Sequence, residues 1–353
     1  MFEIEMLPAR EGDALWIRYG DADASYQILI DGGRAGTYQD IKDRLAKLPE
    51  DQRKFELFVI THVDRDHIEG ALKLLEDPDL DLTFKEVWFN GYQHLRSDGL
   101  ETFGAVQGER LTAALLRRKE CWNTAFDGGA VKVGAKDELV TIEFAGGLEL
   151  TVLSPDAEKL QKMIPLWEKE CRAADLVPGI EARRAEIGRL ESFGRLPNVE
   201  WLAARAFKPD KEAPNGSSIA LLAEYCGKRV LLGGDAHVDR LAASVAALAG
   251  DGGTLALDAF KLPHHGASGN VSQHLLELID CRRYLISTNG NYFQHPRAEA
   301  IARILKFGGP RKAIYFNYAT DFTSVWSDAA LQREYDYVAE YSEATDGTLV
   351  VIL

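Results

Sequence analysis

The chain has few of the features that mark secreted, disulfide-linked or membrane proteins. Only 4 of its 353 residues are cysteines, and they are widely separated. No C-x-x-C pair occurs, which excludes a zinc knuckle or a disulfide scaffold as the organising element. The N-terminus has no basic region followed by an apolar one, and no apolar run approaches the roughly 18 residues that span a bilayer. We therefore expect a cytoplasmic protein with reduced thiols and no membrane association.

Positive charge is also scarce. The chain has 41 Lys and Arg against 55 Asp and Glu, a formal net charge of −14. This balance argues against broad electrostatic adhesion to long nucleic acids or anionic membranes. With 46% hydrophobic and 27% charged residues, the composition is typical of a soluble globular protein. The length allows one large domain or two smaller ones, and neither a repeat nor a low-complexity segment is present.

Residues 55–76 combine an apolar run, a polar loop and an amphipathic pattern. Residues 55–60 are typical of a buried strand, and residues 68–76 have helical apolar spacing. Between them lie four side chains of the kind that bind metals: His62, Asp64, Asp66 and His67. Strand, loop and helix in this order present chemistry at the carboxyl end of a sheet, and this mixture of ligands suits Zn²⁺ or Mn²⁺. The alternative is a solvated turn with capping carboxylates.

Strand patterns alternate with helical ones along the rest of the chain. The predicted strands are residues 2–7, 14–19, 26–30, 86–90, 140–144, 148–153, 218–225, 228–232, 257–262, 283–287, 313–318 and 348–353. The predicted helices are residues 38–47, 111–119, 238–248, 271–279 and 297–307. Asp31 ends the third strand on a glycine turn, where a turn-forming role is an adequate explanation. The alternation predicts an α/β fold.

Residues 155–213 differ because they carry charged helical patterns and no strand pattern. Helices are predicted at 157–174 and 180–193. We interpret residues 157–212 as a helical insertion that covers the site or offers a surface to a protein partner. A peripheral solvated hairpin is the alternative.

Three later strands also end in metal-binding side chains. These are Asp235, the pair His264-His265, and His295. Carboxyl ends of neighbouring parallel strands meet at one edge of a sheet, so these groups should converge with the loop at 62–67. Four such strand ends in succession indicate a shared site rather than a structural accident.

These motifs resemble those of the metallo-β-lactamase-fold hydrolases, and most closely the branch that contains the hydrolase domain of the competence protein ComEC. The superfamily loop H-x-H-x-D-H has Asp at its third position in that branch, as does HVDRDH at residues 62–67. The resemblance covers roughly residues 1–320 except the insertion. The other similar segments are LTVLSP at 150–155, NGSSI at 215–219, VLLGGD at 230–235, KLPHHG at 261–266, and Ser287 with NYFQHP at 291–296.

The resemblance implies a single domain over residues 1–353, built as a four-layer αβ/βα sandwich with two divalent ions at one edge. His62 and Asp64 would hold one ion. The other would be held by Asp66, His67 and one histidine of the 264–265 pair, with Asp235 bridging. We favour His265 as that ligand and His264 as a substrate or leaving-group contact.

One ligand of the wider superfamily is absent here. No histidine stands before the bridging Asp235, where the nearest candidates are Asn215, Ser217 and Ser218. The first ion would then have few protein ligands. Asn215 and Ser218 are candidates for substrate binding, with a role in a β-turn as the alternative.

The loop around His295 carries further polar groups, Asn289, Asn291 and Tyr292. We expect His295 to stabilise the transition state or protonate a leaving group, and Asn291 to bind substrate.

Two ions that share a hydroxide suit an attack on a phosphate, with Asp66 among the catalytic groups. Asp64 in place of a histidine favours Mn²⁺ or Fe²⁺ over Zn²⁺, although Zn²⁺ also accepts carboxylates. We therefore expect a phosphodiesterase or nuclease acting on an anionic small molecule or nucleic acid. The alternatives are hydrolysis of a lactone, amide or thioester, and a subunit of a multiprotein defence system.

Overall fold

The computed structural model describes residues 1–21, 25–95, 106–117, 121–172 and 196–353. Within these ranges the chain forms 18 strands and 10 α-helices, which confirms the expected α/β class. The strands are β1 Phe2–Met6, β2 Leu15–Gly20, β3 Ser25–Ile30, β4 Lys54–Phe55, β5 Leu57–Val59, β6 Thr83–Phe84, β7 Val87–Trp88, β8 Val140–Phe144, β9 Leu148–Ser154, β10 Ala220–Tyr225, β11 Lys228–Leu232, β12 Leu255–Leu257, β13 Ala259–Lys261, β14 Ile279–Cys281, β15 Arg283–Ile286, β16 Lys312–Phe316, β17 Tyr337–Tyr341 and β18 Leu349–Ile352. The helices are α1 Thr37–Ala46, α2 Arg65–Glu76, α3 Val106–Leu116, α4 Ala157–Arg172, α5 Val199–Ala203, α6 Ala213–Gly216, α7 Val238–Ala249, α8 Gln273–Glu277, α9 Ala298–Phe307 and α10 Ala329–Glu334.

Two large sheets organise the strands. The first sheet has the order β18-β1-β2-β3-β5-β7, and the second has the order β17-β16-β15-β13-β11-β10-β9-β8. Each sheet is antiparallel at one end and parallel at the other. The parallel pairs are β3–β5–β7 in the first sheet and β11–β13–β15–β16–β17 in the second. Helices connect parallel neighbours, so the loops after β3, β5, β11, β13 and β15 all leave from carboxyl ends of parallel strands.

Three buried apolar clusters form the core. One contains inward side chains of both sheets, such as Ile17 from the first and Val230 from the second, so the two sheets face each other. The opposite face of the first sheet packs against α1 to α4, which contribute Leu72 and Trp167 among others. The opposite face of the second sheet packs against α5 and α7 to α10, which contribute residues such as Ile301. Strand side chains alternate between these clusters, as the two-residue period of a strand requires.

Several element boundaries differ from the sequence-based predictions. The helix predicted at 271–279 is shorter, because Ile279–Cys281 forms β14 and pairs in parallel with β12. The strand predicted at 257–262 is interrupted at Asp258, whose carboxylate accepts a hydrogen bond from the Arg229 backbone N–H at 2.9 Å. α10 and the edge strand β17 were not predicted. β17 alternates between more buried and exposed residues and pairs with β16 alone.

The helix predicted at 157–174 is confirmed over Ala157–Arg172, and the one predicted at 180–193 lies outside the described residues. Leu160, Met163 and Trp167 are buried against the first sheet's helical covering. Val199 of α5 is buried with the second sheet's helices. The described parts of 157–212 therefore contribute to the core on both sides. No helix in the described residues combines the length and apolarity needed to cross a bilayer.

Candidate metal centre

The loops that follow β3 and β5 are joined side by side. Because the two strands are parallel neighbours, Asp31 and Thr61 leave the sheet together. The Thr61 backbone N–H donates to Asp31 Oδ1 and the Thr61 hydroxyl donates to Asp31 Oδ2, both at 2.8 Å. This carboxylate thus organises the base of the 62–67 loop, beyond the turn-forming role considered from the sequence.

A close glycine contact places α2 against the Asp31 turn. A Cβ atom on Gly70 would lie 1.9 Å from the carbonyl oxygen of Gly32, so no larger residue fits at that position without movement. The approach brings His67 beside Asp31, with its Nδ1 2.7 Å from Asp31 Oδ2. His67 is therefore fixed at the first turn of α2 with its other nitrogen directed elsewhere.

Four imidazoles surround the Asp235 carboxylate. The Nε2 atoms of His67, His62 and His264 lie 3.4, 3.8 and 3.8 Å from Asp235 Oδ2, and His265 Nε2 lies 3.8 Å from Oδ1. The convergence predicted for the strand ends after β5, β11 and β13 is thus present in the structure.

The Nδ1 atom of each ring, which points away from Asp235, is held by a neighbouring polar group. His265 Nδ1 donates to the Ser287 carbonyl at 3.0 Å, and His264 Nδ1 lies 3.3 Å from Asp210 Oδ2. The Thr61 hydroxyl already donates to Asp31, so it accepts a hydrogen bond from His62 Nδ1 at 3.0 Å. A proton on Nδ1 leaves the lone pair on Nε2, the form in which histidine binds a metal.

The inward-facing atoms make no hydrogen bond within the described residues. His62 Nε2, His67 Nε2, His265 Nε2 and Asp235 Oδ1 are buried without a hydrogen bond. Buried polar atoms are normally paired, and divalent ions bound among these four atoms would satisfy them. Three overlapping groups each bring their ligand atoms within 4.8 Å of one another. The groups are His62, His67 and Asp235; Asp66, His67 and His265; and Asp13, Asp235 and His265.

The electrostatics also favour a cation. Burial lowers the pKa of His265, but Asp13 and Asp235 outweigh it and raise that pKa to about 9. Burial also lowers the pKa of His67, but Asp235 and Asp31 outweigh it and raise that pKa well above its ordinary value. Burial alone would raise the pKa of Asp235, yet the surrounding histidines hold it well below the usual range. The carboxylates thus create a potential that stabilises positive charge.

Two ends of the cluster differ in exposure. We call the space bounded by Asp66, His67 and His265 the inner position, where Asp66 Oδ2 lies 3.6 Å from His265 Nε2 and all three side chains are at most 10% exposed. We call the space beside His62 and Asp64 the outer position. There His62 Nε2 lies 3.5 Å from Asp64 Oδ2, and the Asp64 side chain is 41% exposed. Asp235 stands between the two positions.

Asp64 is the N-cap residue of α2, but its carboxylate makes no capping hydrogen bond. It also lies outside the three compact ligand groups. That it shares an ion with His62 remains a prediction.

The residues predicted to bind substrate lie in different surroundings. Ser218 is fully buried, and its hydroxyl accepts a hydrogen bond from the Asp235 backbone N–H at 2.9 Å. Asn215 donates from Nδ2 to Asp210 Oδ2 at 2.7 Å, while its Oδ1 is buried and has no hydrogen-bond partner within the ranges that the structure describes. Asn291 is exposed, and its backbone N–H donates to Asn289 Oδ1 at 3.0 Å.

His295 lies beside the cluster as predicted. Its ring centroid is 5.1 Å from that of His264 and 6.4 Å from that of His265. Burial, His264 and His265 lower the pKa of His295 well below its ordinary value, so its ring is neutral. Its Nδ1 is buried, and no residue in the described part of the chain forms a hydrogen bond with it.

Three functional neighbours were missed from the sequence. Lys261 Nζ donates to Asp13 Oδ2 at 2.7 Å, and Asp13 Oδ1 lies 3.4 Å from His265 Nδ1. Lys261 precedes the His-His pair on β13, so its strand-end position was an available signal. Asp13 precedes β2, and Asp210 lies in a loop without any pattern, so neither offered a signal.

A comparison with protein-family models and with curated protein sequences found no match.

Proposed function

We propose that the protein is a hydrolase that uses two divalent ions, Zn²⁺ or Mn²⁺, to cleave phosphodiester bonds. We further propose that it has the metallo-β-lactamase fold and is related to the ComEC-like branch. The observation that carries the proposal is the set of buried, unpaired Nε2 atoms around Asp235. The order of the apolar clusters, with helices outside two facing sheets, supports a four-layer sandwich.

The residues would divide between the two positions. Asp66, His67 and His265 would hold the inner ion, His62 and Asp64 the outer ion, and Asp235 would contact both. When bound, such a pair of ions lowers the pKa of a water molecule and neutralises charge on the attacked group. The anchored Nδ1 atoms keep the imidazoles in the orientation that binding requires, without reorganisation.

His295 is the residue we assign to the leaving group. A neutral imidazole has one N–H, which can donate a hydrogen bond to the charge that develops on a leaving oxygen. The ring lies next to His264, and no described residue forms a hydrogen bond with its Nδ1. Asn291 lies four residues earlier on the same loop and is exposed, which suits contact with a substrate.

An anionic substrate suits the charge of the cluster. Among the proposed ligands alone, two divalent ions carry four positive charges against the three carboxylates of Asp64, Asp66 and Asp235, and this excess of one positive charge would attract a phosphate. The net charge of −14 disfavours extended binding of long nucleic acid. We therefore propose a nucleotide or a nucleic-acid end as the substrate.

A metal-panel assay tests this proposal. Protein freed of metal by chelation would be supplied with Zn²⁺ or Mn²⁺ and offered bis-p-nitrophenyl phosphate, cyclic dinucleotides, single-stranded DNA, RNA and a lactone. We expect cleavage of a phosphodiester, lost in Asp66→Ala and His67→Ala and retained in His274→Ala, since His274 is exposed and lies outside the cluster. Lactone hydrolysis without phosphodiester cleavage would refute the substrate class.

A further inference from the structure

The Asp210 carboxylate is held in place by four donors. Asn215 Nδ2 donates to its Oδ2 at 2.7 Å, and Asn270 Nδ2 donates to the same atom at 3.1 Å. The backbone N–H of Glu212 donates to Oδ1 at 2.9 Å. The remaining donor is His264 Nδ1, 3.3 Å from Oδ2. With its side chain only 6% exposed, Asp210 is a fixed acceptor for the His264 ring.

The contacts of His264 Nδ1 favour a proton on that atom. It lies 3.3 Å from two acceptors, Asp210 Oδ2 and Asn270 Oδ1, and 3.3 Å from one amide nitrogen, Asn215 Nδ2. An ionised carboxylate only accepts hydrogen bonds, so the ring pairs with Asp210 through an N–H at Nδ1. The lone pair of the neutral ring is then on Nε2. A carboxylate behind Nδ1 is the usual arrangement for a histidine whose Nε2 binds a metal.

The backbone directs the two consecutive histidines to opposite sides of Asp235. His264 and His265 both have left-handed φ angles, 49° and 51°. Their ring planes are 75° apart, and their centroids are separated by 6.0 Å. As a result His265 Nε2 approaches Asp235 Oδ1 and Asp66, whereas His264 Nε2 approaches Asp235 Oδ2, each Asp235 contact at 3.8 Å.

His264 can supply a fourth protein ligand at the outer position. His62, Asp64 and Asp235 would provide three there, and the Asp235 oxygen that His264 faces also lies 3.8 Å from His62 Nε2 and 3.4 Å from His67 Nε2. Protein-bound Zn²⁺ has four ligands or more, and Mn²⁺ accepts imidazole together with carboxylates.

We propose that His264 is a ligand of the outer ion and that Asp210 is the positioning residue that fixes its Nε2 toward that ion. The His-His pair is then divided, with one histidine for each position, and His264 loses the leaving-group role expected from the sequence. The inference depends on the metal-binding part of the proposed function and is independent of the substrate.

Metal binding by single-residue variants tests this assignment. Metal-free protein would be titrated with Zn²⁺ and Mn²⁺ by calorimetry, with metal content measured by mass spectrometry and Co²⁺ spectra recorded. For the wild type we expect two ions. His264→Gln should keep the inner ion and weaken the outer one by roughly 100-fold, and the isosteric Asp210→Asn should weaken it by about 10- to 100-fold. His274→Gln, at an exposed helix position, is the matched control and should retain both ions.

Each other outcome decides a specific point. Two ions bound with unchanged affinities in His264→Gln would overturn the inference, as would equal weakening of both ions in Asp210→Asn. Selective loss of the outer ion in His295→Gln, with His264→Gln unaffected, would transfer the role to His295. If His264→Gln fails to fold, Asp210→Asn alone decides. A wild type that binds no ion refutes the proposed function itself, whereas two ions without phosphodiester cleavage refute only the substrate.

Discussion

The inner and outer positions share Asp235 but are built differently. At the inner position Asp66, His67 and His265 are buried, and a second layer of carboxylates, Asp31 and Asp13, stands behind the rings. At the outer position Asp64 is partly exposed at the start of α2. Among the described residues, the group behind His62 is a hydroxyl, that of Thr61.

This difference in burial predicts different metal affinities at the two positions. Buried ligands with anchored outer nitrogens are preorganised, so the inner ion should bind tightly. An exposed carboxylate retains its rotamer freedom and its hydration, both of which binding must overcome. We expect the outer ion to exchange and the inner ion to remain.

The largest expected effect is at the buried ion pair beneath the inner position. Lys261 and Asp13 are 1% and 3% exposed, so Lys261→Met would leave the Asp13 carboxylate buried without its partner. We expect a loss of about 3–5 kcal/mol in the free energy of unfolding, measured by urea denaturation. Lys228→Met, at the exposed pair with Asp258, should cost less than about 1 kcal/mol. Equal losses of stability in the two variants would show that the buried Lys261–Asp13 pair does not stabilise the inner position.

Loss of a carboxylate at the inner position should weaken metal binding more than loss of a carboxylate at the outer position. Asp66→Asn should weaken the inner ion by roughly 100-fold, since a buried carboxylate ligand is lost, whereas Asp64→Asn should weaken the outer ion by about 10-fold. Competition against a chromogenic chelator measures both affinities. A larger effect for Asp64→Asn would reverse the comparison of the two positions.

His94 is a buried histidine without a carboxylate behind it. Its Nδ1 accepts a hydrogen bond from the Gly91 backbone N–H at 3.0 Å, and burial lowers its pKa to about 4. Between about pH 6.5 and pH 4, His94 is protonated in the unfolded chain and neutral in the folded chain. The contribution of His94 to stability therefore falls as the pH falls. We expect about 2 kcal/mol less stability at pH 5 than at pH 7 from this group. In His94→Gln the loss of stability between pH 7 and pH 5 should be smaller by that amount. An unchanged loss would refute the assignment of this pH dependence to His94.

The smallest effect concerns Ser218, beneath Asp235. Ser218→Ala removes the acceptor of the Asp235 backbone N–H, and we expect a loss of about 1 kcal/mol in the free energy of unfolding with an unchanged KM. Steady-state kinetics and urea denaturation measure the two quantities. A raised KM with unchanged stability would support the substrate-binding role predicted from the sequence.

The sequence predicted the residues that follow strands but not those that support them. His62, Asp235 and His265 follow apolar runs within three residues, and His67 lies in the first turn of the helix after the first run. The parallel pairing of those strands brings these residues together. Asp13 reaches His265 through a contact between residues 252 positions apart in the chain, which no local pattern encodes. Asp210 likewise acquires its role from tertiary contacts with Asn215, Asn270 and His264.

The same reasoning accounts for the missed and misplaced elements. The edge strand β17 pairs on one side only, and its sequence lacks the continuous apolar run that identified the central strands. The division of residues 255–261 between two sheets depends on partners, β14 for one part and β11 and β15 for the other, that lie elsewhere in the chain.

The cluster draws its groups from the loops of both facing sheets, Asp31, His62 and His67 from the first and Asp235 and His265 from the second. An ion bound there would act as a non-covalent cross-link between the two halves of the chain. Its binding energy would then also be folding energy, about 2.7 kcal/mol at a free concentration one hundred times Kd. The melting temperature should consequently rise with the concentration of metal, so thermal unfolding reports whether the two sheets have come together.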